Sequence, residues 1–131
     1  MDREQLERFA EQPVVLLDPG EYTLQIAEVQ IAEDRLSIRP FCTVVGGASD
    51  GEKVCPETYD FHEGGENAAA IRNLYGWGVS EQELMSTGGD VKSIGALLDG
   101  RLGRVSLQQC ESRSGDMVNT HEPGAIRPVE Q

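Results

Sequence analysis

Arg39 and Phe41, two residues apart, are the pair in this sequence with the clearest chemical use. In an extended strand, side chains two apart point to the same side. A guanidinium beside a flat ring offers a phosphate contact and a stacking face, the two contacts that hold a single strand of nucleic acid. Lys53, Arg101, Arg104 and Arg113 would lengthen such a cationic track. Trp77, set between Gly76 and Gly78, reads either as a second exposed ring or as a buried anchor for a helix end. Aromatic residues make up only 5% of the chain, so Tyr22, Tyr59 and Phe61 are expected in the core.

Other chemistry finds little in this sequence. Cys42, Cys55 and Cys110 are an odd number without a CxxC pair, which suggests reduced thiols. Cys42, Cys55, His62 and His121 do not have the spacing of a zinc pattern. There is no phosphate-binding loop, no HExxH and no GxSxG. Neither histidine lies near an obvious nucleophile, so the expectation is no catalytic residue, no metal and no cofactor. Acid pairs such as Glu81 and Glu83 read as helix capping and solvation.

The charge opposes the track. The chain of 131 residues has a net charge of -12, which repels polyanions at long range. Residues 1–34 hold nine acids and two bases, whereas the stretch from Gly95 onward holds five and four. A local basic surface is therefore expected away from the first quarter. The length suits one domain, and 38% hydrophobic with 26% charged residues suits a soluble folded one. No run is long and apolar enough for a bilayer, and the acidic start lacks the apolar stretch of a secretory signal. The expected location is the cytoplasm, with no membrane partner.

The elements that must position these residues follow from periodicity. Residues 2–12 read as an amphipathic helix with Leu6, Phe9 and Ala10 on one face, stopped by Pro13. Strand-like alternation covers residues 21–31, 36–45 and 53–61, a helical middle runs from about 67 to 98, and two strands follow at 101–110 and 116–126. In the first strand the apolar phase changes, which predicts a bulge near Ala27. A hairpin symmetric about residues 46–51 sets Cys42 opposite Cys55 and Val44 opposite Lys53, with Pro40 and Pro56 at bulges or an edge. Ser80 and Glu83 form a capping box, Asp90 caps the last helix, and residues 112–116 turn the last hairpin. Three strands, a helical connection and two strands is the order of an OB-like barrel. The expected fold is mainly β: a five-stranded OB-like Greek-key barrel with a helical insert between strands three and four. The short N-terminal helix occupies residues 1–13 and the barrel residues 14–131.

The chain resembles the phage and prophage single-stranded-DNA-binding proteins built on an OB-like barrel. The resemblance rests on Leu17-Asp18-Pro19-Gly20-Glu21-Tyr22, Asp50-Gly51-Glu52-Lys53-Val54, Leu74-Tyr75-Gly76-Trp77-Gly78-Val79 and Leu97-Leu98-Asp99-Gly100-Arg101, with Ile126-Arg127-Pro128 closing it. It spans residues 14–129. It implies a non-enzymatic role in phage replication or recombination with single-stranded DNA as partner, working in the host cytoplasm. Arg39, Lys53, Arg101, Arg104 and Arg113 would meet phosphates, with stacking on Phe41 and Trp77. The sequence departs from the family in its last hairpin, where residues 110–122 lack an aromatic and a lysine. The alternative is an acidic protein-binding module that contacts a phage or host protein through the barrel or through Asp2, Glu4, Glu7 and Glu11. A third reading is a subunit of a larger assembly, a homo-oligomer included.

Overall fold

The computed structural model describes residues 2–61 and 67–129, so His62 lies outside the described residues. Strand β1 (Gly20–Ala32) is the spine of the fold. Its first half pairs antiparallel with β5 (Leu102–Glu111) and its second half with β2 (Ser37–Val44). The register slips between Ile26 and Glu28, so the bulge falls at Ala27, where the change of apolar phase places it. Before the bulge Leu24 and Ile26 fill the core. After it Val29 and Ile31 lie under helix α4 (Val91–Leu98), close enough that a Cβ on Gly95 would sit 2.6 Å from Cδ1 of Ile31. One strand thereby feeds two packing layers.

The third strand run is broken. Both β3 (Lys53–Val54) and β4 (Tyr59–Asp60) pair with β2, and residues 55–58 leave the ladder opposite Pro40. Neither Pro40 nor Pro56 has an N–H to donate, so the ladder lapses where it is weakest. The fifth run is divided in the same way. Strands β6 (Met117–Thr120) and β7 (Ile126–Pro128) share β5 as partner, and the chain between them turns His121 into the interior. The order β3-β2-β1-β5-β6, with β4 and β7 as continuations, makes a nearly closed antiparallel barrel of five strand runs.

The hairpin between β2 and β3 is not symmetric, which corrects the expected register by one residue. Cys42 faces Val54 and Thr43 faces Lys53. Asp50 explains the shift: its carboxylate accepts the Gly46 N–H at 2.6 Å, and Gly51, at φ 85°, returns its N–H to the Val44 carbonyl at 2.9 Å. Lys53 consequently shares the outward face of β2 with Thr43 and Phe41.

Four α-helices, α1 (Arg3–Glu11), α2 (Ala68–Gly76), α3 (Glu81–Ser86) and α4, and one 3-10 turn (Glu33–Arg35) complete the described chain. Each cap is local. Asp2 with Gln5 and Ser80 with Glu83 form reciprocal capping boxes, and the Asp90 carboxylate accepts the Ser93 N–H. In α1 only Phe9 is buried, while Leu6 and Ala10 of the same expected face are exposed. No described helix is long and apolar enough to cross a membrane.

The helices meet the barrel through a buried hydrogen-bond chain. Trp77, 1% exposed, donates its Nε1–H to the Tyr59 hydroxyl at 2.9 Å. That hydroxyl lies 2.9 Å from Nε2 of His121, whose Nδ1 lies 3.0 Å from the Glu122 carbonyl. A carbonyl only accepts, so the His121 proton is on Nδ1 and Nε2 accepts from Tyr59. The indole packs so tightly on β5 that a Cβ on Gly103 would lie 2.8 Å from its ring. Burial holds the His121 imidazole below its ordinary 6.5, against the opposing pull of the Glu122 carbonyl and of the Glu57 and Glu122 carboxylates.

Two measurements check this chain. Tyr59→Phe leaves the indole N–H and the imidazole nitrogen without a partner, and denaturant unfolding should show a loss of about 1–3 kcal/mol. The His121 contribution has a definite sign with pH. Above 6.5 the ring is neutral in both states and stability is full. Below it the unfolded chain takes up a proton that the folded ring resists, so stability falls with pH toward the lowered native value. In His121→Gln that part of the slope should disappear.

Candidate functional site

The barrel's seam lies between β3 and β6, and residues 14–17 fill it. On one side Val14 forms a parallel bridge to Lys53, and the Val15 N–H donates to the Lys53 carbonyl at 2.9 Å. On the other side two side-chain amides replace a strand. Asn119 accepts the Leu17 N–H at 3.1 Å through Oδ1 and donates to the Val15 carbonyl at 2.9 Å through Nδ2. Gln109 donates to the Leu17 carbonyl at 2.8 Å. The backbone of a segment without a β6 ladder is satisfied in this way. Leu17 points into the core, whereas Val14 and Leu16 remain exposed.

A groove of about 400 Å³ opens beside this seam. Residues 14–16 line it together with Arg39 and Phe41 of β2, Cys55 and Glu57 of the break in the third run, and Met117 and Val118 of the last hairpin. Val14, Leu16, Met117 and Val118 are all exposed. The Arg39 guanidinium is exposed and sits 5.5 Å from the centre of the Phe41 ring. Glu57 brings a carboxylate to the same groove, held by the Thr120 hydroxyl and the Thr58 N–H. Burial pushes the Cys55 thiol up, only partly offset by a hydrogen bond to Arg39, so the sulfur stays protonated and is a poor nucleophile.

Arg39 and Phe41 are therefore brought together at the groove, and Arg113 is exposed in the turn of the hairpin whose Ser112 lines it. The remaining expected site residues lie elsewhere or are already engaged. Phe41 is only 8% exposed, because the Lys53 ammonium lies 5.1 Å from its ring centre and 4.4 Å from that of Phe9. Lys53 is itself buried and donates to the Phe9 carbonyl at 2.9 Å. Arg101 is bonded to the Gly78 carbonyl and, at 2.9 Å, to Glu83, tying the ends of α2 and α3 to the start of β5. Arg104 donates to the Thr23 hydroxyl at 3.0 Å and lies 3.9 Å from Glu21, on the β1–β5 face. Trp77 is an anchor in the core, the second of its two readings.

Among the described residues no cluster of His, Cys, Asp or Glu could hold a metal ion. Both nitrogens of His121 are engaged, and burial pushes the Cys42 thiol well above its ordinary range. Sequence reasoning passed over Val14, Leu16, Glu57, Met117, Val118 and the amide of Asn119. One signal was available: Val14-Val15-Leu16-Leu17 is an apolar run bounded by Pro13 and Asp18-Pro19, which reads as a short buried strand.

No protein-family model matches this sequence, and a comparison with curated proteins finds no match. The residues and their geometry therefore carry the functional reading. The seam can be tested directly. Asn119→Ala orphans the Leu17 N–H and the Val15 carbonyl, with an expected loss of about 1–3 kcal/mol in denaturant unfolding. Amide hydrogen exchange at residues 15–17 should accelerate more than at β1. Unchanged protection there would mean that Asn119 does not hold the segment.

Proposed function

We propose that the chain is a non-enzymatic single-stranded-DNA-binding protein with an OB-like Greek-key barrel and a helical insert between its third and fourth strand runs. Its place in phage replication or recombination, in the host cytoplasm, follows from the family resemblance alone. The observation that carries the reading is the groove, where an exposed guanidinium over a ring lies between the second and third strand runs and the last hairpin. Barrels of this type take oligonucleotides on the face of strands two and three and against the loop of the last hairpin. Arg39 would meet a phosphate and Arg113 a second one across the hairpin turn. The exposed Val14, Leu16, Met117 and Val118 would lie against base faces.

The surface is thin for this task. Lys53, Arg101 and Arg104 are held by partners within the chain. Binding is accordingly expected to be weak and dependent on a low salt concentration. One observation favours a second reading, a protein-binding module. The groove is lined mostly by apolar side chains and carries Glu57 beside Arg39, which suits an extended peptide with a basic residue.

A fluorescence anisotropy titration with a labelled oligothymidylate at low salt decides between them. The first reading expects saturable binding that weakens with salt, by a slope of about -0.7 for each phosphate neutralised. Arg39→Ala should reduce that slope by about one such contact. Absence of saturable binding at tens of micromolar protein, roughly the range of non-specific affinities, would sink it and leave the peptide reading.

A further inference from the structure

Helix α1 covers part of the face that the proposed function uses. Phe9 is its one buried residue, and it stands on the outward side of the hairpin between β2 and β3. The Lys53 ammonium is held between the Phe9 and Phe41 rings and bonded to the Phe9 carbonyl in the last turn of the helix. The remaining described polar tie is the Gln12 amide, which donates to the Gly51 carbonyl at 2.9 Å. Beyond Pro13 the chain enters the seam and is firmly paired. The helix is thus fastened by one ring, one ammonium and one amide, and its other side chains face solvent.

Its charge matters as much as its position. Asp2, Glu4, Glu7 and Glu11 outnumber Arg3 and Arg8, so the helix lays a negative segment over a lysine and a phenylalanine. These are the two residue types that a single strand requires. We infer that α1 is an acidic lid that occupies the Lys53–Phe41 half of the single-strand site and leaves it when nucleic acid binds. This inference rests on the nucleic-acid reading of the groove. Closed, the site offers Arg39 alone from β2. Open, it gains an ammonium and an uncovered ring continuous with the groove, since Phe41 already lines both regions.

The 131-residue chain tests this with an oligothymidylate as probe. Phe9→Ala removes the ring that fastens the lid and leaves every acid in place. Binding should tighten about fivefold or more, the factor supplied by one added stacking contact. The salt slope should steepen by about 0.7, one further phosphate contact. Adding Lys53→Gln to Phe9→Ala should cancel the steeper slope. In the wild-type protein, saturating oligonucleotide should accelerate amide hydrogen exchange across α1 while slowing it at residues 39–43.

The outcomes separate the two ideas. Wild-type binding with α1 still protected, or with Phe9→Ala no tighter, overturns the lid and leaves the nucleic-acid reading intact. Wild-type binding that exposes α1 to exchange and is tightened by Phe9→Ala supports both. Absence of binding by either protein, with both folded by circular dichroism, overturns both.

Discussion

The hydrogen-bond chain from Trp77 through Tyr59 to His121 is the contact on which the rest of this structure depends. It joins the end of α2, the second piece of the third strand run and the break in the fifth. Each donor has one acceptor, and the Glu122 carbonyl fixes the direction of every proton. A buried polar chain of this kind stabilises only when complete, because each orphaned group keeps its full desolvation cost. The surrounding glycines are part of the same arrangement. Gly103 gives the indole a flat bed on β5, and Gly76 lets α2 approach Ile126 so closely that a Cβ would lie 2.7 Å from that side chain.

The breaks in the two strand runs shape the surface as well as the packing. A continuous third run would keep residues 55–58 in the sheet, and a continuous fifth run would keep His121 there. Because both lapse, Tyr59 and His121 can meet inside, and the departing chain opens the groove on the outside. The seam follows from the same geometry. With β3 only two residues long and β6 only four, the barrel cannot close by strand pairing alone. Residues 14–17 and the amides of Asn119 and Gln109 close it instead, which places Val14 and Leu16 beside the groove.

Electrostatics divides the cations into two groups. Lys53, Arg101 and Arg104, as well as Arg127 with its 2.6 Å contact to Glu21, are engaged with the chain's own oxygens. Arg39 and Arg113 remain turned outward near the groove. A net charge of -12 therefore understates how little positive surface is free, since several of the eleven basic residues are already paired with groups of the same chain. Composition counts charges, but only contacts show which of them are still able to meet a ligand.

What the sequence determined by itself was local. The bulge at Ala27, the capping box at Ser80, the N-cap at Asp90 and the order of strands and helices are legible because each depends on side chains a few residues apart. The pairing of Arg39 with Phe41 is legible for the same reason, as a two-residue repeat on one strand. Tertiary structure decided the rest. The register of the second hairpin turned on one carboxylate bonding across its loop, and that single-residue shift carried Lys53 to the face of Phe41. The burial of Phe41 and Lys53 depended on Phe9, more than thirty residues earlier in the chain. The closing of the seam depended on Asn119, about a hundred residues after the segment it holds. Alternation along a strand specifies which side a residue faces. It carries no information about what distant chain will cover that side, because burial is set by which segments pack together in space.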